Sequence, residues 1–190
     1  MSLVEFLLIT RNLGRIFRFN AKPRIEEESV AEHSFYVALY AMIIADLESQ
    51  RGLRINMERL LRSAILHDLE ESMTGDILHG FKYSSPSLSR EINRMSLMFY
   101  KNLSSHLPKR LARKYMEIRT NAKNPKTIEG KILEAADKLE VLIYALGEIS
   151  MGNQHFTEIV RNVVKYMRKL GLKSVNSIID ELVKTYKELE

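Results

Sequence analysis

The sequence predicts an all-α protein in a single domain, on three observations. Helix start and stop signals recur along the whole chain, apolar and polar residues do not alternate with a period of two, and no Asn-Gly or Asp-Gly pair marks a hairpin. The pairs Ser2/Glu5 and Ser29/Glu32 fit the capping box, in which hydroxyl and carboxylate each satisfy a free N–H of the first turn. They open helices over about 3–14 and 30–50. Asn56 caps a third over about 57–72, Pro86 opens a fourth to about 105, and Pro108 opens a fifth to about 121. A sixth runs over about 126–151 and stops before Gly152. Asn153 and Gly171 bracket a seventh, and Ser174 begins an eighth that continues to the C-terminus. Two long irregular stretches remain, 15–28 and 73–85. Long loops inside a compact domain are usually functional.

The 190 residues, 45% of them hydrophobic and 28% charged, have the composition of a globular protein and exclude collagenous and disordered classes. Cysteine is absent, which removes a disulfide framework, a thiolate zinc site and a cysteine nucleophile together. Any metal must therefore be held by His, Asp, Glu or water. The apolar run Leu3–Ile9 is short, interrupted by Glu5 and preceded by no basic residue, so no signal peptide is expected. Nor is a membrane span expected, and the predicted compartment is the cytoplasm. The net charge of +5 is concentrated in residues 101–126, which carry eight Lys or Arg against the single acid Glu117. With only Tyr100 and Tyr115 as stacking partners, that run reads as a solvated helix face, and no nucleic-acid partner is expected.

The chemistry lies where apolar stripes turn polar. On the third helix one column runs Leu60, Ala64, His67, Glu71 and its neighbour runs Leu61, Ile65, Asp68, so the core face ends in titratable groups. His33 lies between Val30 and Val37 on the second helix, and Asp137 lies between Leu133 and Val141 on the sixth. A lone carboxylate in such a place costs several kcal/mol unless paired or metal-bound. Taken singly, each of these residues could be a satisfied core group. Taken together, two imidazoles and two carboxylates suit one divalent transition ion, Co, Mn, Ni, Fe or Zn, rather than calcium.

In order along the chain, His33, the doublet His67-Asp68 and Asp137 resemble the H...HD...D signature of the HD-domain metal-dependent phosphohydrolases. The strings Ser29-Val-Ala-Glu-His33-Ser34, Leu66-His67-Asp68-Leu-Glu-Glu71, Thr74-Gly-Asp76 and Ala136-Asp137-Lys138-Leu139 resemble in particular the bacterial and archaeal 5'-deoxynucleotidases. The similarity runs from about residue 7 to about 160, with the helices of 154–190 packing on that part. It implies an HD-domain helical bundle with one ion on His33, His67, Asp68 and Asp137, hydrolysing deoxynucleoside 5'-monophosphates. Glu71 matches the family's acidic residue beside the attacking water, as its base or as a second-layer support for a ligand histidine.

The resemblance also places Arg18 as the residue that orients the phosphate, and Arg18, Phe19, His33, Asp68 and Asp137 around the substrate. Phe19 stands where the familiar bacterial members have tryptophan. Asp76, Ile77, Leu78 and His79 occupy the substrate loop, with Asp76 as the sugar-hydroxyl contact, although Leu78-His79 depart from the family pattern. Because Arg18 lies in a loop, its truncation is expected to cost little stability. His106 and His155 lack supporting neighbours and read as surface residues. The family implies a homodimer, for which the apolar seventh and eighth helices offer surface. Two rival readings of the chain are a nucleotide-binding regulatory module without turnover and a basic helical RNA-binding protein. A third is an HD-type enzyme acting on another nucleotide.

Overall fold

The computed structural model describes residues 2–187, without the side chains of His79 and Lys187. Ten α-helices follow one another in the described residues: α1 (Leu3–Thr10), α2 (Val30–Gln50), α3 (Met57–Leu66), α4 (Glu71–Thr74), α5 (His79–Lys82), α6 (Pro86–Ser104), α7 (Lys109–Asn121), α8 (Ile128–Ser150), α9 (Thr157–Arg168) and α10 (Lys173–Lys187). Short 3-10 turns cover Arg11–Arg15 and Gln154–Phe156. The only β feature among the described residues is one antiparallel bridge, Phe17 with Ser29.

Where side-chain caps were expected they decide the boundaries. The Ser29/Glu32 box is complete, and α2 begins at Val30 as read from sequence. Ser2 caps α1 through the Val4 N–H, but Glu5 turns away to His106, 3.1 Å distant, so the second box does not close and His106 is half-buried in an ion pair rather than free at the surface. His155 is exposed. Ser174 is buried in the first turn of α10, where its N–H and hydroxyl both donate to Glu48 of α2.

The main departure from the expected helices lies at 57–72. α3 stops at Leu66, and residues 67–70 form tight turns before α4 begins at Glu71. His67 Nδ1 lies 2.7 Å from Ala64 O, the carbonyl that a continuing helix would offer to the Asp68 N–H. The Glu71, Ser72 and Met73 amides then bond three residues back, to Asp68, Leu69 and Glu70. Such tightening rotates successive side chains by about 120° instead of 100°. It sends His67 and Asp68 to one side and Glu70 to another.

α8 is the axis of the molecule, packed on α2, α3 and α9. The larger apolar core joins Val37, Ala41 and Ile44 of α2 to Leu60 and Ala64 of α3 and to Leu133, Ala136 and Leu142 of α8. A smaller one gathers Phe6, Leu13, Leu66, Leu69, Tyr100 and Leu103 under α1. The apolar residues of α9 and α10, among them Val163, Val164, Ile178 and Leu182, pack on the larger core, so these helices do not offer the free apolar surface expected of them. Exposed apolar side chains collect instead on α1, α2 and α3, where Leu8, Phe35 and Ile65 are 66%, 64% and 57% exposed.

By length and composition alone α2 meets the requirement for a membrane span, with a mean hydropathy of 1.3, contrary to the expectation from sequence. Its apolar character serves two faces, one in the core and one on this surface, and its buried residues include His33 and Glu48.

Candidate metal and phosphate site

His33 stands in the first turn of α2, His67 caps the C-terminal end of α3, Asp68 follows in the tight turn, and Asp137 comes from the middle of α8. The larger core carries all three helices to one place. There the two imidazole Nε2 atoms lie 3.3 Å apart. Asp68 Oδ2 lies 2.9 Å from His67 Nε2 and 3.6 Å from His33 Nε2. One donor atom each from His33, His67 and Asp68 falls within 4.8 Å of the others. Asp137 stands at the edge of this group, its Oδ1 3.4 Å from His33 Nε2.

The donor set fits an ion. Each Nδ1 is turned away, His67 toward Ala64 O at 2.7 Å and His33 toward Glu140 Oε2 at 2.6 Å. A carbonyl oxygen only accepts, so His67 donates from Nδ1 and turns its Nε2 edge inward. Donor atoms sharing one ion at about 2.1 Å stand roughly 3 to 3.5 Å from one another, which is the spacing found here. The cluster draws positive charge to itself. Burial and Arg18 would lower His33, but hydrogen bonds to Asp137, Asp68 and Glu140 outweigh them and hold it well above the usual histidine range. Asp68 and Asp137 are held well below the usual carboxylate range, burial being outweighed by His67 and Lys123 at Asp68 and by Lys123 and Lys138 at Asp137.

A second cluster, Glu28, His33 and Glu140, is as tight, but a cation already stands in it. Arg18 places one guanidinium nitrogen 2.5 Å from Glu28 and 2.7 Å from Glu140. Burial, the shared proton with Glu140 and its charge push Glu28 up to about 8, whereas Arg18 and His33 outweigh burial at Glu140 and bring it down to about 2. Arg18 is thus an inward-facing residue, 13% exposed, and the expectation that its loss costs little stability does not hold: removal would leave two buried carboxylates without their cation.

The stretch 16–29 forms a strap over α8. It is pinched where Arg18 N–H donates to Glu28 O and Val30 N–H to Ile16 O. Between those points α8 holds it by side chains: Glu148 accepts the Ile25 and Glu26 N–H groups, and the Tyr144 hydroxyl donates to Glu26 O. Phe19 is left-handed, with φ of 54°, an unusual conformation for a non-glycine residue. Its ring stacks 5.0 Å from Tyr144 and meets Phe156 edge-on, which holds it there.

The 73–85 stretch, expected to be irregular, contains the end of α4 and the whole of α5. Asp76 accepts the Phe19 N–H, and burial with Asp68 holds its carboxyl above the usual carboxylate range. Ile77 lines a cavity of about 350 Å³ against α6 with Met73, Ile92, Met95 and Phe99. Leu78 is 41% exposed, and the side chain of His79 lies outside the described residues. Glu71 is half-buried, and burial with neighbouring Asp68 and Asp76 pushes it up to about 9.

The sequence reading missed Glu140, Glu148 and Tyr144, although they carry a signal. With Asp137 they recur at steps of three, four and four, one stripe of α8. It also took the basic run as solvated. Two of its members turn inward: Arg119 pairs with Glu70, and Lys123 reaches Asp137 at 3.0 Å.

A family profile described as 5'-deoxynucleotidase YfbR-like matches residues 5–186. A 5'-deoxynucleotidase of Photorhabdus laumondii is 30% identical over 158 residues, which cover 81% of this chain and 80% of that one. Among solved structures, an HD-domain phosphohydrolase from Listeria innocua superposes with a TM-score of 0.87 at 28% identity, over 98% of this chain and 90% of its own. A cyanophage S-2L HD phosphohydrolase, solved with dA and one catalytic Zn²⁺ ion, is alike in fold alone, with a TM-score of 0.63 at 16% identity over 95% and 94% of the two chains.

Proposed function

The chain belongs to the YfbR-like 5'-deoxynucleotidase family, with the fold of the HD-domain phosphohydrolases, and we propose that its site hydrolyses deoxynucleoside 5'-monophosphates to deoxynucleoside and phosphate. The observation that carries this reading is the pair of imidazole Nε2 atoms 3.3 Å apart, with Asp68 beside both. His33, His67, Asp68 and Asp137 would hold one divalent ion, with Co, Mn, Ni, Fe and Zn all compatible with such donors. When bound, the ion supplies positive charge for the phosphate and acidifies the attacking water.

The chain's own residues do the rest. Glu140 fixes His33 from its Nδ1 edge and at the same time holds Arg18. Arg18 keeps further N–H donors beyond the nitrogen bound by Glu28 and Glu140, and these suit the bidentate contact that orients a phosphate. Glu71, one short turn beyond Asp68, would take the proton of the attacking water once the positive charge of the ion offsets Asp68 and Asp76, which push its carboxyl up. The new P–O bond forms as the bond from phosphorus to O5' breaks, and O5' leaves with the proton that Glu71 took, as the nucleoside hydroxyl. Asp76, joined to the Phe19 backbone, is the acceptor for the sugar 3'-hydroxyl, and the Phe19 ring would leave a 2'-hydroxyl unpaired.

The finer reading takes 1–190 as one domain acting on small nucleotides in the cytoplasm, with no nucleic acid as partner. It makes the enzyme a homodimer through the apolar face of α1, α2 and α3, a groove of about 690 Å³ beside exposed Phe35 and Ile65. A screen of nucleoside monophosphates against a panel of divalent ions tests the function. Hydrolysis of dAMP and dUMP in preference to AMP and UMP, with 3'-monophosphates inert, is the expected result. Turnover of none of them, with any ion, would overturn it.

A further inference from the structure

We infer that Lys123 is a phosphate-binding residue of this site, the cation that meets the substrate's phosphate on the ion's side of His33. The inference rests on the deoxynucleotidase reading and adds a residue to it. Arg18 approaches His33 from behind, through Glu140 on the Nδ1 edge. Lys123 approaches from the front: its Nζ lies 3.0 Å from Asp137 Oδ2, while Asp137 Oδ1 faces His33 Nε2 at 3.4 Å. The Nε2 edge is where His33, His67 and Asp68 converge, so a phosphate reaching from the Arg18 side to the ion would present its ion-facing oxygens there.

Position and charge support the role. The side chain of Lys123 is 35% exposed, against 13% for Arg18, so a solute can reach it. An ammonium has three N–H donors, and Asp137 takes one of them. Two remain for phosphate oxygens without breaking the ion pair. Four carboxylates touch His33, His67 or Arg18, namely Glu28, Asp68, Asp137 and Glu140, of which Glu28, pushed up to about 8, carries little charge at neutral pH. A divalent ion and Arg18 offset the other three charges and leave a site with no net attraction for a dianion. Lys123 and Lys138, which lies 3.4 Å from the same Asp137 oxygen, make it positive. Lys138 belongs to α8 itself, beside Asp137, and serves as the control.

The backbone sets Lys123 in place before substrate arrives. It sits in the turn between α7 and α8, where the Thr127 N–H and hydroxyl both donate to Asn124 O. That turn lies directly on the first turn of α8, since a Cβ at Gly130 would come within 2.0 Å of Asn124 O.

The test uses the metal-loaded protein and inorganic phosphate, with Lys123→Met, Lys123→Arg and Lys138→Met. Calorimetry gives phosphate and deoxynucleoside affinities, and a parallel titration gives the affinity for Mn²⁺. Losing a charge-assisted contact should weaken phosphate binding about tenfold to a hundredfold in Lys123→Met, raising KM for dAMP in step. Deoxyadenosine and Mn²⁺ affinities should stay within about threefold, and Lys123→Arg should recover most of the loss. Lys138→Met should change phosphate affinity less than Lys123→Met does. Unchanged phosphate affinity in Lys123→Met overturns the inference. So does a loss of Mn²⁺ affinity matching the loss of phosphate, which would make Lys123 a support for Asp137 only. The two readings fail separately. Lys123-dependent phosphate binding without turnover of any deoxynucleotide sinks the deoxynucleotidase alone, and turnover with Lys123-independent phosphate binding sinks the inference alone.

Discussion

Two buried polar clusters meet at residues 67–71, and they are built in opposite ways. On one side Glu70 accepts from the Ser96 hydroxyl and from Arg119, whose guanidinium also lies over the Tyr100 ring. Arg119 meets both Glu70 and the Ser96 hydroxyl, and the Glu70 charge has its cation. On the other side His33, His67 and Asp68 turn their Nε2 and carboxylate edges toward one another, with Asp137 beside them. The tight turn makes both possible, since Asp68 and Glu70 leave the chain in different directions two residues apart. The lesson is that burial of charge does not separate structure from function, whereas convergence of imidazole and carboxylate edges on one point does.

The comparison breaks most visibly if the histidine cluster loses a ligand. Losing the ion forfeits several kcal/mol of transition-state stabilisation, so His67→Ala or Asp68→Asn should lower kcat/KM by at least about a thousandfold. Thorough chelation of the wild type should do the same and be reversed by added Co²⁺ or Mn²⁺. Added ion should also raise the Tm of the wild type and not that of the variants.

The Glu70 cluster should respond the other way. Arg119→Met leaves Glu70 buried and unpaired, at a cost of about 3–5 kcal/mol in chemical denaturation, while kcat per folded molecule stays within about tenfold. Removing both partners, as Glu70→Leu with Arg119→Met, should recover much of the stability. A large loss of kcat at full stability would show that this cluster too is catalytic.

Arg18 sharpens the comparison because it belongs to both kinds. Arg18→Ala should lose about 1–3 kcal/mol of stability as well as raising KM for dAMP, a double effect that neither cluster shows alone. The smallest effect is expected at Glu148. Two N–H groups of the strap and Asn153 outweigh burial and hold its carboxyl below the usual range. A depressed folded value contributes stability that is present above about 4.5 and lost as pH falls through the folded value. Between pH 5 and pH 3 the wild type should therefore lose about 1 kcal/mol more than Glu148→Gln. Parallel pH profiles would refute this.

Periodicity made the helices legible, and the four ligand candidates stood out because each interrupts an apolar stripe. α2 begins where its capping box places it, since that signal is local. The break after Leu66 was not legible, because Leu60, Ala64, His67 and Glu71 keep helical spacing in sequence, while the turn is fixed by the His67 ring on Ala64 O. Glu28, Glu140 and Lys123 were hidden for another reason. Their partners lie 10, 107 and 14 residues away, and a charged residue in a charged neighbourhood gives no sign of facing inward. The apolar face of α1–α3 escaped notice because its residues look like core from spacing alone.

The strap has a consequence for how the molecule opens. Apart from its pinch at 16–18 and 28–30, residues 19–27 are held by side chains of other elements, chiefly Glu148 through Ile25 and Glu26, and Asn153 through Pro23 O. No helix need unwind for it to lift. Its amides should therefore exchange with solvent through a local opening well below the global free energy, together rather than one by one, and at rates unrelated to those of the α8 core. Phe19, the strap residue proposed to meet the sugar, thus belongs to a different cooperative unit from the proposed ion ligands, so heat or denaturant should disable recognition before it disables the ion site.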